Sequence, residues 1–321
     1  MAEQLGAPLN TEGLAKLTPE QGRPPEPVEL TKEEDQELMG ILEEAREAEN
    51  QGQTALAVEL LQRYRSRYES LRQQRIQEKR AEQGELGQET LQKNQKSLDL
   101  IFGEGRFNLQ REYEQGHIQG LSQEQLKAME TSPEEEKYSE LVIIPGQIPR
   151  EEVIQAIDKR YQELFGQPIS YANEADLSQT QAAKKNSRPE GFYVIAVQRQ
   201  KETVDLSPKT TDQTLTVQLE TLQKAQKKNP NLNLKGMTLS EAMLLDAYFY
   251  ANEGTHADDS SRKWSYNRCL EELILDDKGQ PARALSLGWV AVLSRLGVFS
   301  DSGADSDFGA RFAAVSASSA P

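Results

Sequence analysis

Few side chains in this sequence could act as nucleophiles, general bases or metal ligands. The 321 residues include two histidines, His117 and His256, and one cysteine, Cys269. A single cysteine excludes an intramolecular disulfide and a zinc site built from several thiolates. No second histidine or cysteine lies near Cys269 in the sequence to activate its thiol, so we expect it to fill a small buried space. His256 follows an apolar helical segment and lies among acidic residues, which favours a capping or turn role over that of a general base.

Three aspartates near the C-terminus are the main alternative for ion binding or hydrolysis. Asp301, Asp305 and Asp307 offer the carboxylate oxygens that calcium prefers, but no glutamate follows at the spacing that an EF-hand requires. The sequence also lacks the phosphate-binding loop, the G-x-S-x-G elbow and the H-E-x-x-H zinc motif. We therefore predict that the protein is not an enzyme and uses no metal or other cofactor. A calcium-dependent binder or a hydrolase built on the three aspartates remains the alternative.

The charge balance excludes several classes of partner. There are 52 acidic and 37 basic side chains, which gives a formal charge of −15. Proteins that bind nucleic acids or anionic membranes concentrate lysine and arginine, so neither partner is expected. No stretch approaches the roughly 20 apolar residues that cross a bilayer, and the first residues do not resemble a signal peptide. We expect a soluble, cytoplasmic protein without membrane insertion, and leave open an association with a cell surface or a phage particle.

The N-terminal part of the sequence predicts a tail followed by helices. Residues 1–30 contain five prolines and little periodicity, which is typical of a disordered tail. Residues 31–131 form the predicted helical region. A capping box at residues 31–34 begins a first helix, and a second begins near Thr54 after a short polar break. Because the connection is short, we expect an antiparallel pair.

The second predicted helix carries a narrow apolar stripe. Its members recur at a 3-4-3 spacing and are Leu61, Tyr64, Tyr68 and Leu71. We favour packing of this stripe against the first helix within the same chain. The alternative is that it pairs with another copy or with a partner helix, which would make the helical region a scaffold or adaptor.

The remainder predicts an α+β domain over residues 137–315 with a flexible tail at 316–321. Short apolar strands are expected at residues 141–144 and 192–197. Helices are expected from about Arg150, over residues 214–228, and after a second capping box that begins at Thr238. A hinge at residues 132–135 precedes this domain, and a polar loop is expected over residues 203–214.

The composition changes abruptly in the last 40 residues. Residues 282–321 contain no Glu, Gln, Lys or Met, whereas the preceding 281 residues contain 87 Glu, Gln and Lys together. Core strands followed by a low-complexity tail would explain part of this loss. The polar stretch at residues 300–307 fits neither description. Composition alone therefore leaves a structural and a genetic explanation open.

The second half of the sequence contains an ordered series of distinctive segments. These are LKGMTLSEAMLL at 234–245, YFY at 248–250, GTH at 254–256, Trp264, NRC at 267–269, Trp289, Arg295, Val298 and GARFA at 309–313. Together with the strands near residues 141–145 and 191–197, they resemble the target proteins of diversity-generating retroelements, a family abundant in candidate-phyla bacteria and their phages. The resemblance extends over residues 140–315 and excludes the helical N-terminal part.

This resemblance implies a genetic cause for the missing residue types. In such systems a reverse transcriptase copies a template with errors at adenines and replaces the 3′ end of the target gene. Asn codons with a fixed final pyrimidine are the usual targets, and these cannot become Glu, Gln, Lys, Met or Trp codons. The family is similar to C-type lectin-like domains, in which the terminal strands form a compact sheet and variable side chains occupy one exposed face. The implied fold class is α+β, an N-terminal helical hairpin or bundle followed by a C-type lectin-like domain.

The same resemblance implies a non-catalytic protein that binds an unidentified partner, expected to be another protein, through a variable face. A sheet suits this division, since alternate side chains point to opposite faces. Scaffold positions would be Leu287, Trp289, Arg295, Val298, Arg311, Phe312 and Val315, with Trp289 as a core anchor and Arg311 paired with Asp276 or Asp277. The ligand-binding candidates are Val290, Ala291, Val292, Leu293, Ser294, Gly297, Phe299, Asp301, Ser302, Gly303, Asp305, Ser306, Asp307 and Phe308.

Overall fold

The structure is a computed structural model that divides into two compact units, residues 1–75 and 76–321. It describes residues 30–130, 140–171, 188–197, 215–257, 266–290, 295–301, 308–310 and 312–316. The predicted N-terminal tail up to residue 29, the hinge at 132–135, the loop at 203–214 and the tail from 317 lie outside these residues. The architecture is α+β with helices at its N-terminal end, as the sequence predicted.

The first unit contains two antiparallel helices. Helix α1 covers Lys32–Asn50 and helix α2 begins at Thr54 and runs to Glu82. The predicted capping box is present, because the Glu34 N–H donates to Thr31 Oγ1 and the Thr31 N–H donates to the Glu34 carboxylate. Ion pairs of 2.8 Å join Glu34 to Arg75 and Glu37 to Arg67. Since later residues of α1 pair with earlier residues of α2, the helices are antiparallel.

The apolar contact between α1 and α2 differs by one position from the predicted stripe. Leu60 is buried on α2, with Tyr64 packed against the same cluster, whereas Leu61 is 41% exposed. The inclusion of Leu61 in the stripe was wrong, because a helix turns by about 100° per residue and only Leu60 lies on the face toward α1. The intrachain packing favoured from the sequence is confirmed for Tyr64. The buried members of this cluster are Ile41, Ala45, Ala48, Ala57 and Leu60.

The second unit begins earlier in the sequence than the predicted domain. Leu91, Leu98 and Ile101 of its first helix lie in the same core as the central strands, so these helices belong to the larger unit and not to the hairpin. The predicted division at about residue 131 therefore differs from the structural division at residue 75. The helices of this unit after α2 are α3 Gln88–Phe102, α4 Leu109–Glu114, α5 Gln123–Glu130, α6 Arg150–Phe165, α7 Leu215–Lys228 and α8 Leu239–Glu253.

The first sheet is organised around one fully buried strand. Its strands are β1 Ile118–Gln119, β2 Glu140–Pro145, β4 Phe192–Val197, β5 Leu234–Gly236 and β10 Phe312–Val315. Strand β4 pairs antiparallel with β2 and β10 and parallel with β1, and β10 also pairs antiparallel with β5. All six residues of β4 are buried, which agrees with the unbroken apolar run in its sequence. The two predicted strands in this region, β2 and β4, are confirmed.

The second sheet contains the strands β3 Ser170–Tyr171, β6 Tyr266–Leu275, β7 Pro281–Val290, β8 Arg295–Asp301 and β9 Phe308–Ala310. Their order in the sheet is β3-β8-β7-β6-β9. Strands β6, β7 and β8 are antiparallel neighbours, while β3 and β9 are added in parallel at the edges. The turn between β6 and β7 is closed by Asp276, whose Oδ1 accepts hydrogen bonds from the N–H groups of Lys278 and Gln280.

Helix α8 lies at the centre of the second unit. It contacts helices α3 and α6, strand β2 of the first sheet and strands β6 and β7 of the second. The sequence predicted one apolar face, but Leu239 and all nine residues from 241 to 249 are buried. Two of these buried residues are acidic, Glu241 and Asp246. Their partners determine the polar chemistry of this unit.

Candidate functional site

Much of the predicted recognition face lies outside the part of the chain that the structure describes. Residues 291–294 and 302–307, together with Arg311, are not described, and only the backbone is described for Asp301 and Phe308. The side chains of the calcium alternative, Asp301, Asp305 and Asp307, and the predicted pairing of Arg311 therefore lie outside what the structure describes.

Two described members of the predicted face are buried. Val290 is 9% exposed, and Gly297 is buried on the neighbouring strand. A Cβ atom at Gly297 would lie 2.5 Å from the ring of Phe299, so a larger residue there would require that ring to move. The expected exposure does not hold at Val290, because α7 and α8 cover β7. It does not hold at Gly297 either, because the Phe299 ring lies over this position of β8. Phe299 is half-buried.

The predicted scaffold positions occupy the core of the same two strands. Trp289 and Val298 are 8% and 3% exposed, and Arg295 is half-buried. Residues 284–290 are buried without interruption. Burial therefore accounts for the absence of Glu, Gln and Lys in β7, since long charged side chains are rarely buried unpaired.

One buried polar cluster, which we call the aspartate cluster, centres on Asp246. The Tyr161 hydroxyl donates to Asp246 Oδ2 at 2.7 Å, and His256 Nδ1 lies 2.9 Å from the same oxygen. The Ala257 N–H donates to Oδ1 at 2.8 Å. Burial and the adjacent carboxylate raise the pKa of the Tyr161 phenol well above its ordinary value, so this hydroxyl remains a donor. The cluster ties α6 and the turn after α8 to the middle of α8.

Aromatic rings fix the imidazole of the aspartate cluster. His256 stacks on Trp289 with ring centroids 3.6 Å apart and on Tyr250 at 5.1 Å. Phe165 packs edge-on against Trp289 at 4.7 Å. With Nδ1 directed at Asp246, His256 joins the end of α8 to β7. His256 lies after the end of α8, as predicted, and its described contacts are with the Asp246 carboxylate and the neighbouring aromatic rings.

A second cluster, which we call the arginine cluster, surrounds Glu241. Arg188 Nε and Nη2 donate to the two carboxylate oxygens of Glu241 at 2.7 and 3.0 Å. The Tyr193 hydroxyl and the Thr238 N–H each donate to Glu241 at 2.8 Å. Arg188 Nη2 also donates to the Gly236 carbonyl at 2.7 Å. Glu241 and Arg188 are 0% and 8% exposed, so this is a fully enclosed ion pair.

The charged states of the arginine cluster support each other. Burial alone would raise the pKa of Glu241, but Arg188 and the Thr238 N–H bring it below its ordinary value. Burial alone would lower the pKa of Arg188, but Glu241 raises it above its ordinary value. Both groups are therefore ionised at neutral pH. A neighbouring pair, Arg150 and Glu272, lies 3.2 Å apart, and Glu272 is 1% exposed.

Sequence reasoning found only part of these clusters. Glu241 was predicted as a capping residue, and the capping box is present. The sequence does contain a signal for Asp246. It is an acidic residue within the apolar run at residues 243–249, and such a residue indicates a buried polar contact. Arg188 follows an undescribed segment and gave no periodic signal. Cys269 is fully buried, as predicted.

The chain matches no protein-family model, and no match to a curated protein or to a solved structure was found. Within the described ranges, no group of three or more His, Cys, Asp or Glu side chains is arranged to hold a metal ion. None of the helices in those ranges combines the length and the apolar character needed to cross a membrane.

Proposed function

We propose that this chain is a non-catalytic recognition protein, in which C-terminal segments held by the second sheet bind another protein. The observation that carries the proposal is how these segments are held. Residues 291–294 join β7 to β8, and residues 302–307 join β8 to β9, so paired strands flank both segments. Binding residues commonly lie on such connections, because a rigid framework positions them and tolerates their replacement.

The strands that flank these segments are held by contacts of their own. Strands β7 and β8 pair through seven residues each, from Ala284 opposite Asp301 to Val290 opposite Arg295. Trp289 anchors β7 through its stacking on His256. The connecting residues can therefore change while the paired strands keep their core contacts.

Strand pairing also supports the proposed C-type lectin-like fold. The last strand, β10, pairs antiparallel with β4 in a compact first sheet, while β6, β7 and β8 form the antiparallel centre of a second sheet. The inclusion of the last strand in a compact sheet supports the proposed fold, in which the terminal strands form such a sheet. We propose that a retroelement diversifies those segments, since the polar residues at 300–307 lack Glu, Gln and Lys although burial explains this absence only in the core strands.

Combinatorial replacement tests the recognition face. Residues 291–294 and 302–307 are randomised in the full chain, and residues 284–287 of β7 are randomised as a matched control. Most variants of the first library are expected to remain folded and protease-resistant, since the proposal assigns these residues to an exposed face, where substitutions change stability by about 0.5 kcal/mol or less. Most control variants are expected to unfold. Equal losses in both libraries would contradict the proposal.

The diversification mechanism has a separate test in the neighbouring DNA. A near-copy of the 3′ coding end, differing only at template adenines and close to a reverse-transcriptase gene, is expected. A fully sequenced locus without such a copy would remove the retroelement from the proposal and leave the recognition face to be judged by the library experiment.

Exposed apolar side chains on the first unit favour a second candidate function. Leu56, Val58 and Leu61 of α2 are 41–49% exposed, and Met39 of α1 is 39% exposed. These residues support the adaptor hypothesis, in which the hairpin contacts another copy of the chain. Sedimentation of the full chain is expected to show a dimer that Leu61→Glu converts to a monomer, with Gln62→Glu on the same helix as the control. A monomeric wild-type chain would contradict self-association.

A further inference from the structure

A cavity of about 310 Å³ lies at the N-terminal ends of α6 and α8. Its apolar wall includes Ile144, Val153 and Leu244, all of them buried. Its polar wall includes Gln147 and Arg188. The volume is at the low end of the roughly 300–1,000 Å³ found for small-molecule sites, which suits a ligand of a few carbon atoms.

Arg188 supplies an uncommitted hydrogen-bond donor at this cavity. Its Nε and Nη2 atoms are used by Glu241 and the Gly236 carbonyl. Because the guanidinium is planar, Nη1 points away from the Glu241 carboxylate. Nη1 is buried and has no hydrogen-bond partner among the described residues. Water does not easily take the place of that partner, because Arg188 is only 8% exposed. Leaving such a charged donor unsatisfied is costly, so a bound acceptor would stabilise it.

Gln147 supplies the complementary acceptor. Its Oε1 atom is buried and lacks a hydrogen-bond partner in the described part of the chain. A ligand that satisfies both walls must therefore present an acceptor to Arg188 and a hydroxyl or amine donor to Gln147. Gln147 lies in the connection between β2 and α6, and Arg188 lies shortly before β4. The tertiary structure brings both residues to the wall of the same cavity.

The guanidinium N–H groups and the helix ends that face the cavity favour an anion as the acceptor. Arg150 and Arg188 both line it, whereas their carboxylate partners Glu272 and Glu241 are not among its described lining residues. The N-terminal ends of α6 and α8, helices of 16 and 15 residues, add positive potential on the same side. A carboxylate fits this wall, and a neutral hydroxyl suits Gln147 better than an ammonium group close to two guanidinium ions.

We propose that this cavity binds a small hydroxycarboxylate, with the carboxylate accepting a hydrogen bond from Arg188 Nη1 and the hydroxyl donating to Gln147 Oε1. This site is separate from the proposed recognition segments, since it is built from the β2–α6 connection, Arg188, β4 and the start of α8. Its occupancy and the recognition of a protein partner can therefore be measured independently.

Calorimetric titration of the full chain at neutral pH tests the ligand class. The probes are L-lactate, 3-hydroxybutyrate and lactamide, the last being the neutral counterpart of lactate. At least one hydroxycarboxylate is expected to bind once per chain and at least about tenfold more tightly than lactamide. No saturable heat with either acid would mean that the cavity holds only water, and equal binding of lactamide would remove the carboxylate requirement. Either result overturns the proposal.

A substitution at Gln147 then locates the site. Gln147→Leu is expected to weaken binding of the hydroxycarboxylate about tenfold while leaving propionate, which has no hydroxyl, unchanged. The matched control is Gln162→Leu, at an exposed position of α6, which is expected to change neither ligand. Unchanged hydroxycarboxylate binding in Gln147→Leu, or an equal loss of propionate, would contradict the assignment. Thermal unfolding of each variant checks that it is folded.

Discussion

Helix α8 carries two buried carboxylates, five residues apart, that are stabilised in different ways. Glu241 forms a bidentate ion pair with Arg188, and the charges of the pair offset each other. Asp246 accepts hydrogen bonds from the Tyr161 hydroxyl and the Ala257 N–H and contacts His256 Nδ1. Both side chains are nearly inaccessible, at 0% and 2% exposure.

The two clusters differ in the residue that neutralises or hydrogen-bonds the buried carboxylate, and this residue determines whether a polar group is left without a partner. A guanidinium has more N–H groups than one carboxylate can accept, so the arginine cluster keeps a donor, Nη1, beside a cavity. The aspartate cluster is enclosed by Phe165, Tyr250 and Trp289. We therefore expect the first cluster to be suited to binding and the second to hold helix α8 against β7.

The largest effect is expected from Glu241→Gln. Glutamine can still complete the capping box, so the change removes the charge and leaves Arg188 buried without its counter-ion. Breaking a buried pair in this way costs about 3–5 kcal/mol of unfolding free energy. Chemical denaturation measures the loss. The double variant Glu241→Gln with Arg188→Met should lose much less, because it keeps the capping box and removes both charges together. An equal loss in the two variants would show that the unpaired charge is not the cause.

Acid should disrupt the same ion pair without a mutation. The pKa of Glu241 lies below its ordinary value of 4.5 in the folded chain. Its contribution to stability is therefore complete above 4.5 and is lost as the pH falls through the lower folded value. Denaturant unfolding measured at successive pH values below 4.5 should show a steeper decline for the wild type than for Glu241→Gln. Parallel declines would assign the acid sensitivity to other carboxylates.

A smaller effect is expected from Asp246→Asn. Asparagine keeps the size and can still accept from the Ala257 N–H, but its amide cannot reproduce all the contacts of the carboxylate. The loss of one hydrogen bond in a buried site corresponds to about 1–3 kcal/mol. Chemical denaturation again provides the measurement, and the near-ultraviolet circular dichroism of Trp289 reports whether its stacking on His256 persists. A loss larger than that of Glu241→Gln would reverse the proposed ranking.

The smallest effect is expected in the helical hairpin. Arg67 pairs with Glu37 at 2.8 Å, but both side chains are more than one-third exposed. Solvent screens such pairs, and many contribute nothing measurable. Arg67→Gln should therefore leave the thermal unfolding midpoint almost unchanged, and added salt should not alter the difference. A clear destabilisation would show that this surface pair holds α1 and α2 together.

Local patterns in the sequence predicted many of the elements. Both capping boxes, at Thr31 and Thr238, form as expected because their hydrogen bonds join residues only three positions apart. The strands at residues 140–145 and 192–197 were visible as apolar runs. The error at Leu61 arose because two adjacent leucines fit similar helical stripes, and only the position of α1 selects between them.

The candidate sites were much less predictable. Arg188 and Glu241 are 53 residues apart in the sequence, and Tyr161 and Asp246 are 85 apart. No local spacing links such pairs. Burial of Val290 and Gly297 was also missed, because alternation predicts an exposed side chain only when one face of the sheet is open.

The sequence by itself determined the apolar runs of β2 and β4, the helix starts at the two capping boxes and the unusual composition of the last 40 residues. These properties depend on side chains close together in the chain. Only the tertiary structure decided which polar groups meet inside, because burial removes water and makes each enclosed donor or acceptor depend on a partner from a distant segment. The ion pair of Arg188 with Glu241, the contacts of Asp246 and the cavity beside Gln147 all follow from that requirement.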